Sequence, residues 1–229
     1  VEETHVHKYA CKHCQEQDIS TPVKAAQVEP PVIKGSIATA EAIAHIMTQK
    51  YVMYSPLYRQ EQEYQRAGVP LSRQTMSNWL LKAASDWLQP VYERMKAELL
   101  KQDVLHADET TLQVLHEPGK KAQSKSYIWL YRTGRDAPQQ LVLYEYQDSR
   151  RAAHPEDFLN GFKGYLHADG YAAYYKIPDI KVAACWAHVR RKYEEALQGT
   201  AKSEVTKLTN IQTGKQYCDR LFAIESEIN

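Results

Sequence analysis

The sequence predicts an α/β protein, a helical N-terminal region followed by one mixed β-sheet. Three observations predict it. Up to about Gln102, apolar residues recur at spacings of three and four. After Asp103 the period changes to two. Three closely spaced strand-like segments then give way to strands that alternate with helical stretches.

Composition bounds what such a fold could do. The chain has 229 residues, enough for one or two domains at roughly 150 residues each. With 43% hydrophobic and 25% charged residues it is globular rather than disordered or fibrous. A net charge of +1 excludes a protein that holds nucleic acid by bulk charge, so any such surface is local. The 16 Tyr against 3 Phe suit half-exposed surfaces that need a polar tip. No apolar run approaches the roughly 18 residues of a membrane span, and no secretory h-region opens the chain. Four Cys argue for a reduced, cytoplasmic chain rather than a disulfide scaffold. The start at Val1 and the end at Asn229, inside a helix-like stretch, read as a fragment of a longer protein.

Residues 1–35 read as an arm with a Cys/His cluster and Pro22, Pro30 and Pro31. A helix is predicted from Ser36, with Ile37, Ala40, Ile43, Ala44 and Met47 on its stripe. Pro56 interrupts, and residues 57–67 suit a polar helix ended by Gly68. Ser72 is a good N-cap for a helix carrying Met76, Trp79, Leu80, Ala83 and Trp87, and Pro90 opens another through Val91, Met95 and Leu99. Strands are predicted at 104–111 (continued at 112–115), 127–133, 140–146, 165–168 and 181–185, with helices at 150–160 and 186–198 and a helical pattern at 203–229. The order β-β-β-α-β-α-β-α is that of a ribonuclease-H-like mixed sheet, though many α/β folds begin with hairpins. The predicted divisions are 1–35, 36–102, 103–198 and 199–229.

Two strands end in the same four residues, Leu-His-Ala-Asp, at Asp108 and Asp169. An Asp closing an apolar strand is costly to bury unless it is paired or holds a metal. Two carboxylates on neighbouring strands can bridge a pair of Mg²⁺ or Mn²⁺ ions that clamp the attacking and leaving oxygens of a phosphodiester. The alternative is that each Asp caps the turn after it. Glu109 adjoins Asp108 but points to the other face of a regular strand. His106 and His167 share the Asp faces, either supporting them or as ordinary half-buried histidines.

Elsewhere, Cys11 and Cys14 form Cys-x-x-Cys among His5, His7 and His13, half of a tetrahedral zinc site or a redox pair. Residues 57–87 read as helix, Gly-containing turn, helix. Arg73, Gln74, Ser77 and Asn78 would suit base edges or phosphates if this is a helix-turn-helix, and mere solvent exposure if it is a plain hairpin. Arg190, Arg191 and Lys192 could meet phosphates or form a surface basic run. Cys185 and His188 share one helical face, where packing is the favoured role. Glu194 and Glu195 read as a solvated helix face.

Several motifs in order carry a family resemblance. Asp108-Glu-Thr, Tyr127-Ile-Trp-Leu-Tyr, Gly164-Tyr-Leu-His-Ala-Asp-Gly-Tyr-Ala-Ala-Tyr174 and Cys185-Trp-Ala-His-Val-Arg-Arg-Lys-Tyr193 closely resemble transposases of the insertion-sequence-66 family. Upstream, Lys50-Tyr, Pro56-Leu-Tyr-Arg-Gln60, Gly68-Val and Leu71-Ser-Arg-Gln-Thr75 extend the match, which covers about residues 7–198. The resemblance implies a DDE transposase with a ribonuclease-H-like domain that cuts and joins DNA with divalent metal and no covalent enzyme–DNA intermediate. It makes Asp108 and Asp169 the first two catalytic acids and metal ligands. The third, a Glu in an Asn-Asn-x-x-Glu-Arg-like motif beyond a helical insertion, has no counterpart before Asn229, so this chain is expected to bind DNA but cleave it poorly or not at all. The resemblance also implies a second Cys pair upstream of Cys11 completing a Zn²⁺ site. Its implied partners are double-stranded DNA, both transposon ends and target, and identical chains in the active oligomer, within the cytoplasm and on the nucleoid. The competing readings are a nuclease without strand transfer and a catalytically silent DNA-binding protein.

Overall fold

A computed structural model describes residues 5–17, 20–201 and 203–228. It divides into two compact units, Val1–Gln89 and Pro90–Asn229.

The first unit opens with a small antiparallel pair, β1 (Lys8–Ala10) and β2 (Val23–Ala25), with α1 (Lys12–Glu16) between them. Three helices follow: α2 (Ala40–Tyr51), α3 (Leu57–Arg66) and α4 (Arg73–Ala83). Thr39 caps α2 by accepting from the Ala42 N–H at 3.2 Å, and Ser72 caps α4 by accepting from Thr75 at 3.1 Å. Gly68 turns the chain between α3 and α4 with φ +78°, a left-handed value that an L side chain adopts only under strain. Ile33, Ala38, Ile43, Ile46, Met76, Trp79, Leu80 and Ala83 form the core.

Two expectations are corrected here. The first helix begins at Ala40 rather than Ser36, so Ile37 lies outside it and is 83% exposed. The apolar stripe of α4 ends at Ala83, because residues Ala84–Leu88 form a π-helical turn in which the Gln89 N–H bonds to the Ala84 carbonyl. Pro90 has no N–H for the ordinary helical bond to residue 86, and the wider turn absorbs that loss. The added residue rotates Trp87 off the stripe, leaving it 38% exposed.

The second unit contains α5 (Gln89–Leu99), β3 (Val104–Gln113), β4 (Lys125–Thr133), β5 (Val142–Gln147), α6 (Ala153–Phe158), β6 (Gly164–Ala168), β7 (Ile180–Ala184), α7 (Trp186–Gly199) and α8 (Val205–Ile228). The five strands form one sheet in the order β5-β4-β3-β6-β7. β3, β4 and β5 are an antiparallel meander, while β6 joins β3 and β7 joins β6 in parallel. The helix that the element order called for between β6 and β7 is a single 3₁₀ turn, Tyr174–Lys176. Pro178 follows at once and steers Ile177 into extended backbone.

The period-2 alternation divides the sheet into two chemically different faces. Leu105 and Ala107, Trp129 and Tyr131, Leu143, and Leu166 and Ala168 turn to a core closed by Leu99, Phe158, Leu159, Phe162, Tyr174 and Ile177. Tyr131 and Phe158 stack there, their ring centroids 3.7 Å apart. The other face carries His106, Asp108, Arg132 and His167. Among the described residues no helix is long and apolar enough to cross a membrane.

Candidate functional site

The parallel pairing of β3 and β6 sets His106 opposite His167. Their Nδ1 atoms are 2.9 Å apart, so one imidazole donates and the other accepts. Burial, then the charge of its partner His167 and of Arg132, depresses His106 to about 4, and burial and Arg132 also lower His167. Both rings are therefore neutral near pH 7, as a shared proton requires. Asp108 and Asp169 each stand two residues beyond this pair. Both line one cavity of about 190 Å³, with His106, His167, Arg132, Cys185 and His188 in its wall.

Asp108 is exposed, and its Oδ1 accepts from the N–H of Glu109 at 2.9 Å. Its Oδ2 lies 4.0 Å from Nε2 of His188, one turn into α7, while the Nδ1 of that ring is buried without a partner among the described residues. Asp169 is half-buried, and its Oδ1 accepts from the Tyr171 N–H at 2.9 Å. Gly170 needs no left-handed φ, and nothing stands within 4 Å of where a Cβ would be.

Glu109 turns to the opposite face, where its side chain is only 3% exposed. It accepts from the Tyr174 hydroxyl at 2.9 Å and from Nε of Arg150 at 2.7 Å, and Nη2 of Arg150 also donates to it. Burial raises the Glu109 carboxyl above its usual range, against the downward pull of Arg150 and Tyr174. Arg150 Nη2 is in turn 3.6 Å from Asp169 Oδ2, and the guanidinium lies 4.1 Å from the centroid of the Tyr171 ring. The Tyr171 hydroxyl closes the circuit by donating to the Arg150 carbonyl.

This unit of motifs has relatives. Residues 35–229 match the family described as "Transposase IS66 family". The chain belongs to that family. Uncharacterized protein y4jD of Sinorhizobium fredii is 30% identical over 234 residues, covering 96% of this chain and 43% of that protein. Uncharacterized protein y4hP of the same organism is 30% identical over 246 residues, covering 99% of this chain and 42% of its own length. Uncharacterized protein y4qI is 34% identical over 177 residues, 71% of this chain and 32% of that protein. The chain spans less than half the length of these relatives.

In this IS66-family chain the basic run at the start of α7 divides. Arg190 is held by Asp219 of α8 and by Glu194 at 3.0 Å, so its guanidinium is occupied within the fold. Lys192 pairs with Glu195 on its exposed helix face at 3.0 Å, and Arg191 is exposed. At the other unit, Arg73 and Gln74 are exposed at the start of α4, opposite its buried stripe. The Arg73 N–H donates to Glu61 at 2.8 Å, while Gln74 bonds Asn78 at 3.0 Å.

Cys11 stands at the N-cap position of α1 without a side-chain cap hydrogen bond, and both it and Cys14 carry free thiols. The neighbouring Cys14 backbone and thiol hold the Cys11 pKa below its usual value. Four residues of the cavity and its surroundings escaped the sequence reading: Arg150, Tyr171 and Tyr174, and His188 as a neighbour of Asp108. The signal for the tyrosines was present in the spacing Asp-Gly-Tyr-x-x-Tyr, which puts both rings on one side of a turn.

Proposed function

We propose that this chain is part of a DDE-type transposase whose catalytic domain, residues 103–198, has a ribonuclease-H-like sheet, with Asp108 and Asp169 as its metal ligands. One observation carries the reading: two aspartates from strands paired in parallel line a single cavity. The strand order, an antiparallel meander with two parallel strands added beside β3, supports it. The donor set suits one Mg²⁺ or Mn²⁺, since Mg²⁺ is characteristically held by one or two carboxylates, water and substrate phosphate. No group of three His, Cys, Asp or Glu is placed to hold a metal among the described residues, so the two aspartates would hold any ion together with water and substrate phosphate. The bound ion would supply charge neutralisation at the scissile phosphate. Asp108 and Asp169 would orient it, and the neutral His106/His167 pair would floor the cavity without adding positive charge.

Double-stranded DNA is the proposed substrate, at transposon ends and target, bound by identical chains acting together. The α3–turn–α4 segment is the proposed helix-turn-helix, with Arg73 and Gln74 facing DNA. Of the α7 run, Arg191 and Lys192 are the members free for phosphate, Lys192 by exchanging its exposed Glu195 partner. Residues 1–35 are proposed as part of a zinc module holding Zn²⁺ through Cys11 and Cys14, 36–102 as the DNA-binding region, and 199–229 as the beginning of a helical insertion. A cytoplasmic, nucleoid-bound location follows from that substrate.

Nicking of a supercoiled plasmid in Mn²⁺ tests the reading. Weak nicking is expected, lost in Asp108→Asn and in Asp169→Asn, with DNA binding that falls steeply as salt rises. Nicking indifferent to both substitutions refutes the assignment. Strong nicking that they abolish brings Glu194 or Glu195 in as the third acid. No third His, Cys, Asp or Glu joins Asp108 and Asp169 in a metal-holding group among the described residues; this favours one second reading, a silent DNA-binding protein, which complete absence of nicking with salt-sensitive binding intact would select.

A further inference from the structure

Glu109 cannot share a cation with Asp108, because it lies on the other face and is buried. A buried carboxylate persists only with partners, and Glu109 has two, Arg150 and the Tyr174 hydroxyl. Arg150 then reaches past Glu109 to Asp169, its Nη2 3.6 Å from the Asp169 Oδ2. The opposite oxygen of Asp169 is fixed by the Tyr171 N–H at 2.9 Å, and the Tyr171 ring supports the guanidinium at 4.1 Å. Each oxygen of Asp169 therefore has an assigned neighbour: Arg150, Tyr171 and Asp169 close into a ring, and Glu109 anchors it through Arg150.

We propose that Arg150 is a positioning residue for Asp169: seated on buried Glu109, it fixes the carboxylate that turns toward a divalent cation. This rests on the reading of Asp108 and Asp169 as a cation site. Charge explains why the seat is acidic. An arginine alone beside Asp169 would cancel its charge and repel a metal ion. With Glu109 beneath it the pair is neutral, and Asp108 and Asp169 keep two negative charges for the cation. The neighbours Asp-Glu at 108–109 and the spacing Asp-Gly-Tyr-x-x-Tyr at 169–174 thus describe one assembly. One residue of each Asp motif faces the cavity, Glu109 and Tyr171 hold the arginine, and Tyr174 holds Glu109.

Binding of Mn²⁺ alone to this chain, read from the free-ion electron paramagnetic resonance signal, tests the proposal. Arg150→Lys keeps the charge but loses the planar fork that grips Glu109 and reaches Asp169. It should weaken Mn²⁺ binding about tenfold, the low end of what altering a residue behind a metal ligand costs. Glu109→Gln leaves Arg150 unbalanced beside Asp169 and should weaken it at least as much. Asp169→Asn should abolish binding. Wild-type Mn²⁺ affinity in both Arg150→Lys and Glu109→Gln, with Asp169→Asn still abolishing it, overturns the positioning role and leaves the cation site standing. Mn²⁺ binding unaffected by Asp169→Asn overturns the site and this proposal together. Thermal unfolding separates fold from site. If Glu109→Gln does not fold, Tyr171→Phe, which removes only the hydroxyl on the Arg150 carbonyl, replaces it and should weaken binding severalfold; wild-type affinity there counts against the proposal.

Discussion

Replacing Gly164 with alanine would put a methyl group 2.4 Å from the carbonyl oxygen of Asp103 and 3.0 Å from Cζ of Phe162. Carbon–oxygen contacts between strands settle at about 3.3–3.6 Å, so β6 would have to draw away from β3 by about 1 Å at its first residue. Little there can yield. The oxygen belongs to the backbone and accepts from the Tyr165 N–H at 2.9 Å, and Phe162 is buried in the core. Overpacking of this kind costs about 1–3 kcal/mol. Gly164 has no left-handed φ, so alanine recovers about 0.4–1 kcal/mol by restricting the unfolded chain. The net loss of about 1–2 kcal/mol corresponds to about 3–8 °C in the melting of the sheet unit. Gly170→Ala is the comparison, because nothing lies within 4 Å of its would-be Cβ. It should melt within about 0.5 kcal/mol of wild type. Thermal unfolding followed by circular dichroism decides the matter. A Gly164→Ala chain that melts with wild type, or a Gly170→Ala chain that loses as much, refutes the steric argument. The same displacement runs along β6 toward Asp169, so Mn²⁺ binding should fall in Gly164→Ala and hold in Gly170→Ala.

Ser72→Ala removes the cap of α4 and should cost about 1 kcal/mol in urea unfolding of the N-terminal unit, with the slope unchanged. Gly214→Ala brings a methyl group within 2.4 Å of the Tyr193 ring between α7 and α8. It should lower the melting temperature, and adding Tyr193→Leu should recover most of the loss if that contact is its cause. Iodoacetamide should modify Cys11 first, because its pKa is lowered and it is exposed, and Cys218 last, because it is 1% exposed; peptide mass mapping reads the order, and early labelling of Cys218 contradicts it.

β3 and β4 were legible because each is long, and β4 because it is rich in β-branched and aromatic residues, as in Tyr127-Ile-Trp-Leu-Tyr131. β1 and β2, at three residues each, are too short to show a period. The start of α2 was misread because Ile37 falls in phase with the helix although it precedes the Thr39 cap. Trp87 misled in the same way, since a π turn changes the phase without leaving a mark in the apolar pattern. Asp108 and Asp169 were visible as a repeated Leu-His-Ala-Asp, but only Asp169 follows a strand end; β3 runs on to Gln113, so Asp108 stands in mid-strand. Arg150 was not, because it bonds Glu109 from 41 positions away, and no local pattern encodes a contact of that span. Arg190 was misjudged for the same reason: a run of three cations concealed that one is held by Asp219, 29 positions away.

β3 is paired antiparallel on one side and parallel on the other, and the two pairings differ greatly in chain separation. β3, β4 and β5 are sequential neighbours closed by short connections, whereas β6 must return across more than the whole meander to reach β3. Loop-closure entropy and the slow formation of non-local contacts place the hairpins early in folding and the β3–β6 ladder late. Asp108 is thus set in its final strand before Asp169 arrives. Changes that weaken the β3–β6 ladder alone should therefore fall mainly on the unfolding rate and leave the folding rate nearly unchanged.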